Sequence, residues 1–255
     1  MYLIFGNPID HSKSPLMYNY YFKKSGINEC YGRYLLTNGA EIINKFKELN
    51  IKGANVTVPH KENAYKLCDE IRGVATEIGA VNTLVKEGDK IVGYNTDAPG
   101  FLEAIKEFDY KNPLIIGAGG TAKALSAVLD NITVINRSAK RLEYFKNKSI
   151  DAFTWEELER FDFDLIINTT SAGLADNSLP MPNEMLDKLF ANASYAVDVI
   201  YGKKTPFLKE AEKYKLKTKN GLDMLVYQGV LAMELFLGKK LDRKKTAEIY
   251  FEILR

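Results

Sequence analysis

A chain of 255 residues can bury a large core and fits one or two domains; its 46% apolar and 27% charged residues are the balance of a soluble globular protein. Lys plus Arg number 35 against 33 Asp plus Glu, a net charge of only +2 without a basic stripe interleaved with aromatics, which argues against nucleic acid as the main partner. Cys30 and Cys68 are too few for a disulfide framework, His11 and His60 lack metal-ligand spacing, no secretory leader pattern opens the chain, and no apolar run approaches the ~18 residues of a membrane span, so a cytoplasmic protein without a metal or a membrane partner is expected.

Residues 2–5 read as a first strand, closed by Gly6-Asn7-Pro8. The polar loop His11-Ser12-Lys13-Ser14-Pro15 follows, its proline suited to the first turn of a helix that Leu16, Met17, Tyr20 and Tyr21 continue. Ser12 and Ser14 are either caps of that helix or two hydroxyls aimed at one ligand. A second strand covers residues 30–36, and Ile42, Ile43, Phe46 and Leu49 mark the core face of a helix. Residues 53–59 read as a third strand ended by Pro59, and a helix opening at His60-Lys61-Glu62 puts Thr57 and Lys61 at one strand-to-helix junction. A lone lysine is ordinarily a surface charge, but one held over a cleft there is placed for acid–base work. Glu87-Gly88-Asp89 joins strands 80–85 and 90–95 in a hairpin. Asp97 then either caps the next helix or, with Asn82 and Lys61, converges from strand ends on one crevice, as open α/β sheets allow.

From residue 113 the pattern becomes repeated strand–helix units, which implies a parallel sheet with right-handed crossovers. An apolar strand breaks into Gly117-Ala118-Gly119-Gly120-Thr121-Ala122, the spacing G-x-G-G-x-A. In a dinucleotide-binding turn the first glycine makes the tight turn, the second admits the pyrophosphate, and the third small residue lets helix and sheet pack closely. Alone that pattern is weak, since glycines also mark ordinary turns. The next strand, 132–135, ends in Asn136-Arg137, with Lys140 and Arg141 beyond. An NAD-binding turn carries an acid about 20 residues past its first glycine. Arg137 stands there instead, and a guanidinium suits a 2′-phosphate, so the reading is NADP. Further strands are read at 164–168, ending in Thr169-Thr170-Ser171, at 195–201, and at 216–220, terminated by Gly221. An apolar helix spans 222–237 with polar Gln228 in it, and an amphipathic helix spans 241–254.

These pieces together resemble the shikimate dehydrogenase family over nearly the whole chain. The matching blocks are Gly6-Asn7-Pro8 with His11-Ser12-Lys13-Ser14-Pro15, Asn55-Val56-Thr57-Val58-Pro59-His60-Lys61, Gly79-Ala80-Val81-Asn82-Thr83 and Gly93-Tyr94-Asn95-Thr96-Asp97. They continue with the Gly117 turn, Asn136-Arg137, Asn168-Thr169-Thr170-Ser171 and Gly221-Leu222-Asp223-Met224-Leu225, then Gln228. The family's first block often continues with a His-Asn pair, where this chain has Tyr18-Asn19.

The resemblance implies an α/β fold of two domains separated by a cleft. Residues 1–98 plus 225–255 would form the substrate-binding domain and residues 99–224 the Rossmann-like NADP-binding domain. The implied reaction is NADPH-dependent reduction of 3-dehydroshikimate to shikimate, by a monomer or homodimer. By the same resemblance Lys61 and Asp97 are catalytic and also touch substrate, together with Ser12, Ser14, Thr57, Asn82, Tyr201 and Gln228. NADP would be held by Gly117, Ala118, Gly119, Gly120, Thr121, Ala122, Asn136, Arg137, Thr169, Ser171, Val199, Gly221 and Met224. Rival readings are a relative of broader specificity that also takes quinate, and a non-catalytic NADP-binding sensor, which would lack a complete Lys–Asp pair.

Overall fold

The computed structural model describes residues 1–254 and divides into two compact units, residues 1–100 with 225–254, and residues 101–224. The first unit opens with β1 (Tyr2–Gly6), α1 (Ser14–Lys24), β2 (Tyr31–Leu35), α2 (Ile42–Glu48), β3 (Gly53–Val56) and α3 (Lys61–Leu67). It continues with β4 (Glu70–Ile71), α4 (Ala75–Ile78), β5 (Thr83–Glu87), β6 (Lys90–Tyr94) and the start of α5 (Asp97–Ile105). Its strands form one sheet in the order β2-β1-β3-β5-β6-β4. β1 pairs parallel with β2 and β3, whereas β5 is antiparallel to both its neighbours, β3 and β6, and the Gly88 turn joins it to β6 in a hairpin. Central β1 and β3 are buried along their whole length, and edge β2 is buried only at Tyr31, with Arg33 and Leu35 exposed.

The second unit contains β7 (Pro113–Ile116), α6 (Gly120–Leu125), β8 (Thr133–Asn136), α7 (Glu143–Lys146), β9 (Asp151–Thr154) and β10 (Leu165–Asn168). After these come α8 (Asn183–Phe190), β11 (Tyr195–Asp198), α9 (Pro206–Lys213) and β12 (Lys217–Lys219). Every pairing is parallel, in the order β12-β11-β10-β7-β8-β9. Read by position in the chain this is the doubly wound order of a Rossmann sheet, which reverses between β7 and β10. The alternation within each strand builds two cores: Ile115, Leu165 and Ile167 join Phe101, Ile105, Ala122 and Leu125, while Leu114, Ile116 and Ile166 face Leu186, Phe190 and Phe207.

The chain returns to the first unit through α10 (Leu222–Leu237) and ends in α11 (Arg243–Leu254). Both passages between units therefore run inside a helix, α5 and α10. On one face of the first sheet Leu3, Phe5, Ala54 and Val56 pack on Ile42 and Phe46. Tyr2, Tyr18, Tyr31, Phe236 and Tyr250 form a separate aromatic cluster, with Tyr2 and Phe236 centroids 4.8 Å apart and Tyr18 and Tyr31 4.5 Å apart. Tyr18, at the departure from the family's His-Asn pair, is a core ring whose buried hydroxyl has no hydrogen-bond partner among the described residues; burial, with the negative Asp97 a smaller contributor, pushes its pKa up. Asn19 clasps both backbone groups of Tyr31 and fixes the edge strand β2.

Several expected elements change at their ends. The strand expected over 195–201 stops at Asp198, because that carboxylate turns back to accept the Ile200 N–H at 3.0 Å. The helix after the glycine turn is only six residues long. Ser14 is the first residue of α1 rather than its cap, and Ser12 Oγ accepts the Ser14 N–H at 3.3 Å. Among the described residues no helix is long and apolar enough to cross a membrane, and no group of three His, Cys, Asp or Glu side chains is placed to hold a metal.

Candidate functional site

In the first unit the carboxyl ends of β1, β3 and β6 and the start of antiparallel β5 lie at the same edge of the sheet. Ser12, Thr57, Asn82 and Asp97 all sit just beyond those ends. Lys61 is the first residue of α3 and Asp97 the first of α5, and Lys61 Nζ donates to Asp97 Oδ2 at 2.6 Å. A cation is a poor choice at a helix N-terminus, and the carboxylate opposite offsets that cost. The pair is neither buried nor free: the side chains are 33% and 19% exposed, so solvent-sized molecules reach both.

Asp97 does not cap its own helix. Asn95 does, its Oδ1 accepting from Asp97 N at 3.1 Å and Ala98 N at 3.3 Å, which leaves the Asp97 carboxylate for Lys61. Asn82 is buried in a polar knot: its Oδ1 accepts from Thr96 N at 2.8 Å and Thr83 Oγ1 at 3.0 Å, and its Nδ2 donates to Thr96 Oγ1 at 3.0 Å. Ser12 and Ser14 are buried beside each other, and exposed Arg33 donates from Nη2 to Ser12 O at 2.7 Å. Gln228 follows from a close helix crossing: a Cβ on Gly100 would fall 2.6 Å from Gln228 N, so only glycine lets α5 and α10 meet there. Its Nε2 donates to Leu225 O at 2.8 Å.

In the second unit the switch point between β7 and β10 opens into a cavity of about 510 Å³. Gly117, Ala118, Gly119, Asn136, Arg137, Thr169 and Ser171 line it, as do Arg141, Trp155 and Thr170, residues to which the family resemblance gives no site role. Gly117 has φ +107°, and a Cβ there would lie 2.8 Å from Thr169 Oγ1. Gly119 faces open space where other residues would project a side chain. Arg137 and Arg141 are exposed, and no carboxylate among the described residues pairs with either. A glycine cradle beside two uncommitted guanidiniums fits a dinucleotide bearing an extra phosphate. Thr169 Oγ1 donates to Ile116 O at 2.9 Å, and Asn168 Oδ1 accepts from Thr170 N at 3.0 Å, so the β10 loop is anchored to its own sheet.

The remaining assigned residues lie elsewhere in this unit. Ala122 is fully buried against the sheet, and Gly120 and Thr121 begin α6 without lining the cavity. Gly221 presses on Val199, whose carbonyl a Cβ would meet at 2.0 Å, and Met224 packs on the Phe101 cluster. Tyr201 is half-buried, and burial pushes its hydroxyl pKa up.

A basic glycine turn at a Rossmann switch point in one unit and a lysine–carboxylate pair in the other define an NADP-linked oxidoreductase. Residues 4–84 match the family model described as the shikimate dehydrogenase substrate binding domain, and residues 221–248 match that of the shikimate 5′-dehydrogenase C-terminal domain. The shikimate dehydrogenase (NADP(+)) of Helicobacter hepaticus is 46% identical over 248 residues, 95% of this chain and 92% of that one. The crystal structure of shikimate 5-dehydrogenase from Thermus thermophilus in complex with NADP(H) and shikimate aligns at TM-score 0.86 and 31% identity, covering 99% of this chain and 98% of that one. A ligand-free 5-ketofructose reductase of Gluconobacter sp. aligns at TM-score 0.86 and 30% identity, covering 99% and 98%. The chain belongs to the shikimate dehydrogenase family.

Proposed function

We propose that this protein reduces 3-dehydroshikimate to shikimate with NADPH, reversibly, in the route to the aromatic amino acids, as a cytoplasmic monomer or homodimer. The observation that carries the reading is the ion pair of Lys61 and Asp97 at 2.6 Å, set at the sheet edge that also bears Ser12, Thr57 and Asn82. The first unit would take the substrate and the second the coenzyme, with Gly117, Gly119, Asn136, Arg137, Arg141 and the Thr169–Ser171 loop as its holders.

NADPH supplies the hydride. As charge develops on the carbonyl oxygen, the Lys61 ammonium stabilises it and delivers the proton, leaving the hydroxyl of the product and a neutral lysine that regains a proton from solvent. Asp97 holds the ammonium and offsets its charge. Ser12 and Ser14 offer hydroxyl donors to the substrate carboxylate, and Thr57, Asn82 and Gln228 offer polar groups to its ring hydroxyls. Tyr201 is assigned to the same substrate, and Val199, Gly221 and Met224 to the walls around the nicotinamide.

The test follows reduced-nicotinamide absorbance with shikimate and NADP⁺, and then with quinate and with NAD⁺. The reading expects turnover with shikimate and NADP⁺ at least ~10-fold more efficient than any other combination, the order of magnitude that one lost charged hydrogen bond produces. Equal efficiency with quinate would replace it by the broader dehydrogenase, and coenzyme binding without turnover by the sensor.

A further inference from the structure

We propose that Asn95 is the positioning residue of the Lys61–Asp97 pair, holding both partners through one buried carboxamide. The inference rests on the catalytic reading of that pair. Asn95 is 6% exposed and its side chain is used at both ends. Its Oδ1 accepts the N–H groups of Asp97 and Ala98 at 3.1 and 3.3 Å, and its Nδ2 donates to Ala80 O at 3.1 Å. The residue after Ala80 donates in turn to the other partner: Val81 N reaches Lys61 O at 3.0 Å. A single side chain thus ties the first turn of α5, which carries Asp97, to the segment that grips the first residue of α3, which carries Lys61.

The neighbouring side chains could not take over this role. Thr96 stands immediately before α5, where a hydroxyl would normally cap, but its Oγ1 is engaged with Asn82 and Thr83. Were Asp97 to cap, its carboxylate would bind backbone N–H groups and leave Lys61. The cap is therefore supplied from one residue further back. It needs an acceptor for the helix and a donor for Ala80, and among uncharged side chains of this length only Asn carries both.

The experiment is a double-mutant cycle on the full chain: parent, Asn95→Ala, Asp97→Asn and the double variant, with kcat, the KM for shikimate and the Kd for NADP⁺ measured on each. Asn95→Ser runs alongside, since serine is the smaller change and keeps a cap acceptor while losing the reach to Ala80. The expected result is a kcat lowered roughly 10- to 100-fold in Asn95→Ala, the scale of an ångström-sized misplacement, and by a smaller factor in Asn95→Ser. The KM should stay within about 3-fold and the coenzyme Kd should not change. In the Asp97→Asn background the same Asn95 replacement should cost less than about 2-fold, because the pair it positions is already broken. A loss from Asn95→Ala that multiplies undiminished with that of Asp97→Asn would overturn the positioning role and leave the catalytic reading intact, as would unchanged kcat in both Asn95 single variants. An Asp97→Asn variant as active as the parent would instead overturn the catalytic reading and this inference with it.

Discussion

The two units solve the problem of polar groups at a sheet edge in opposite ways. In the first, each charged or amide group at the edge already has a partner from its own unit: Lys61 has Asp97, Asn82 has Thr96, Asn95 has Asp97 and Ala80. In the second, the edge is made of absences. Gly119 has nothing where a side chain would be, and Arg137 and Arg141 face their cavity with no carboxylate among the described residues paired to them, since Asp176 in the same lining is spent on Ser178 and Gly173 N. The groups proposed to act in a fixed geometry are preorganised inside the fold, whereas those proposed to recognise a phosphorylated coenzyme are left for that coenzyme to complete.

Breaking the preorganised side should have the largest effect. Lys61→Ala removes the cation bonded to Asp97 and the proposed proton donor, so kcat should fall by roughly 10²- to 10⁴-fold while the KM for shikimate changes far less. Steady-state kinetics at saturating coenzyme reads this directly, and near-parental kcat would take Lys61 out of the mechanism. On the open side the effect should be smaller and selective. Arg137→Glu puts a like charge where a 2′-phosphate would sit, so the Kd for NADP⁺ should rise about 10- to 100-fold, and the Kd for NAD⁺ by less than about 3-fold. Titration calorimetry with both coenzymes separates the outcomes, and equal weakening of both would mean that Arg137 holds something other than the extra phosphate.

The same contrast explains what could be read from the chain before its structure. Runs buried on both faces were plain, such as Leu114-Ile115-Ile116 in β7 and Leu165-Ile166-Ile167 in β10, because no amphipathic alternation confuses them. The helix expected over 222–237 is α10 with the same ends. The short edge strands β4 and β9 were not seen: Glu70-Ile71 and Asp151-Ala152-Phe153-Thr154 owe their pairing to neighbouring strands rather than to local pattern. α9 does carry a local signal, Thr205 capping ahead of Pro206. Lys61 and Asp97 stood in blocks whose order could be matched, and so could be named as a pair. Asn95 stood in one of those blocks but had no visible task, since its work depends on Ala80 lying across the hairpin. Arg141 and Trp155 were likewise invisible as site residues, because only the fold of β8 and β9 brings them to the cavity around Gly117.

A second carboxylate sharpens the comparison with the least effect on activity. Asp198 is fully buried at the end of β11, and unlike Asp97 its partners among the described residues are neutral: Thr205 Oγ1 at 2.6 Å, Ile200 N at 3.0 Å and Asn168 Nδ2 at 3.1 Å. Burial pushes its pKa above the ordinary carboxylate range, against the pull of those three donors. An acid with a raised folded pKa binds its proton more tightly in the native state, so ionisation favours the unfolded chain. Its contribution to stability is fully present below the unfolded pKa of about 3.9 and is lost as pH rises through the folded pKa, the reverse of a salt-bridged aspartate. Asp198→Asn removes this dependence, whatever constant offset the altered hydrogen bonds add. Urea midpoints taken across the acid range should therefore show the parent losing stability relative to the variant as pH rises through the unfolded pKa, and levelling once Asp198 is ionised in the folded protein. A difference between the two proteins that does not change over that range would show that the three neutral donors already match what solvent offers the carboxylate.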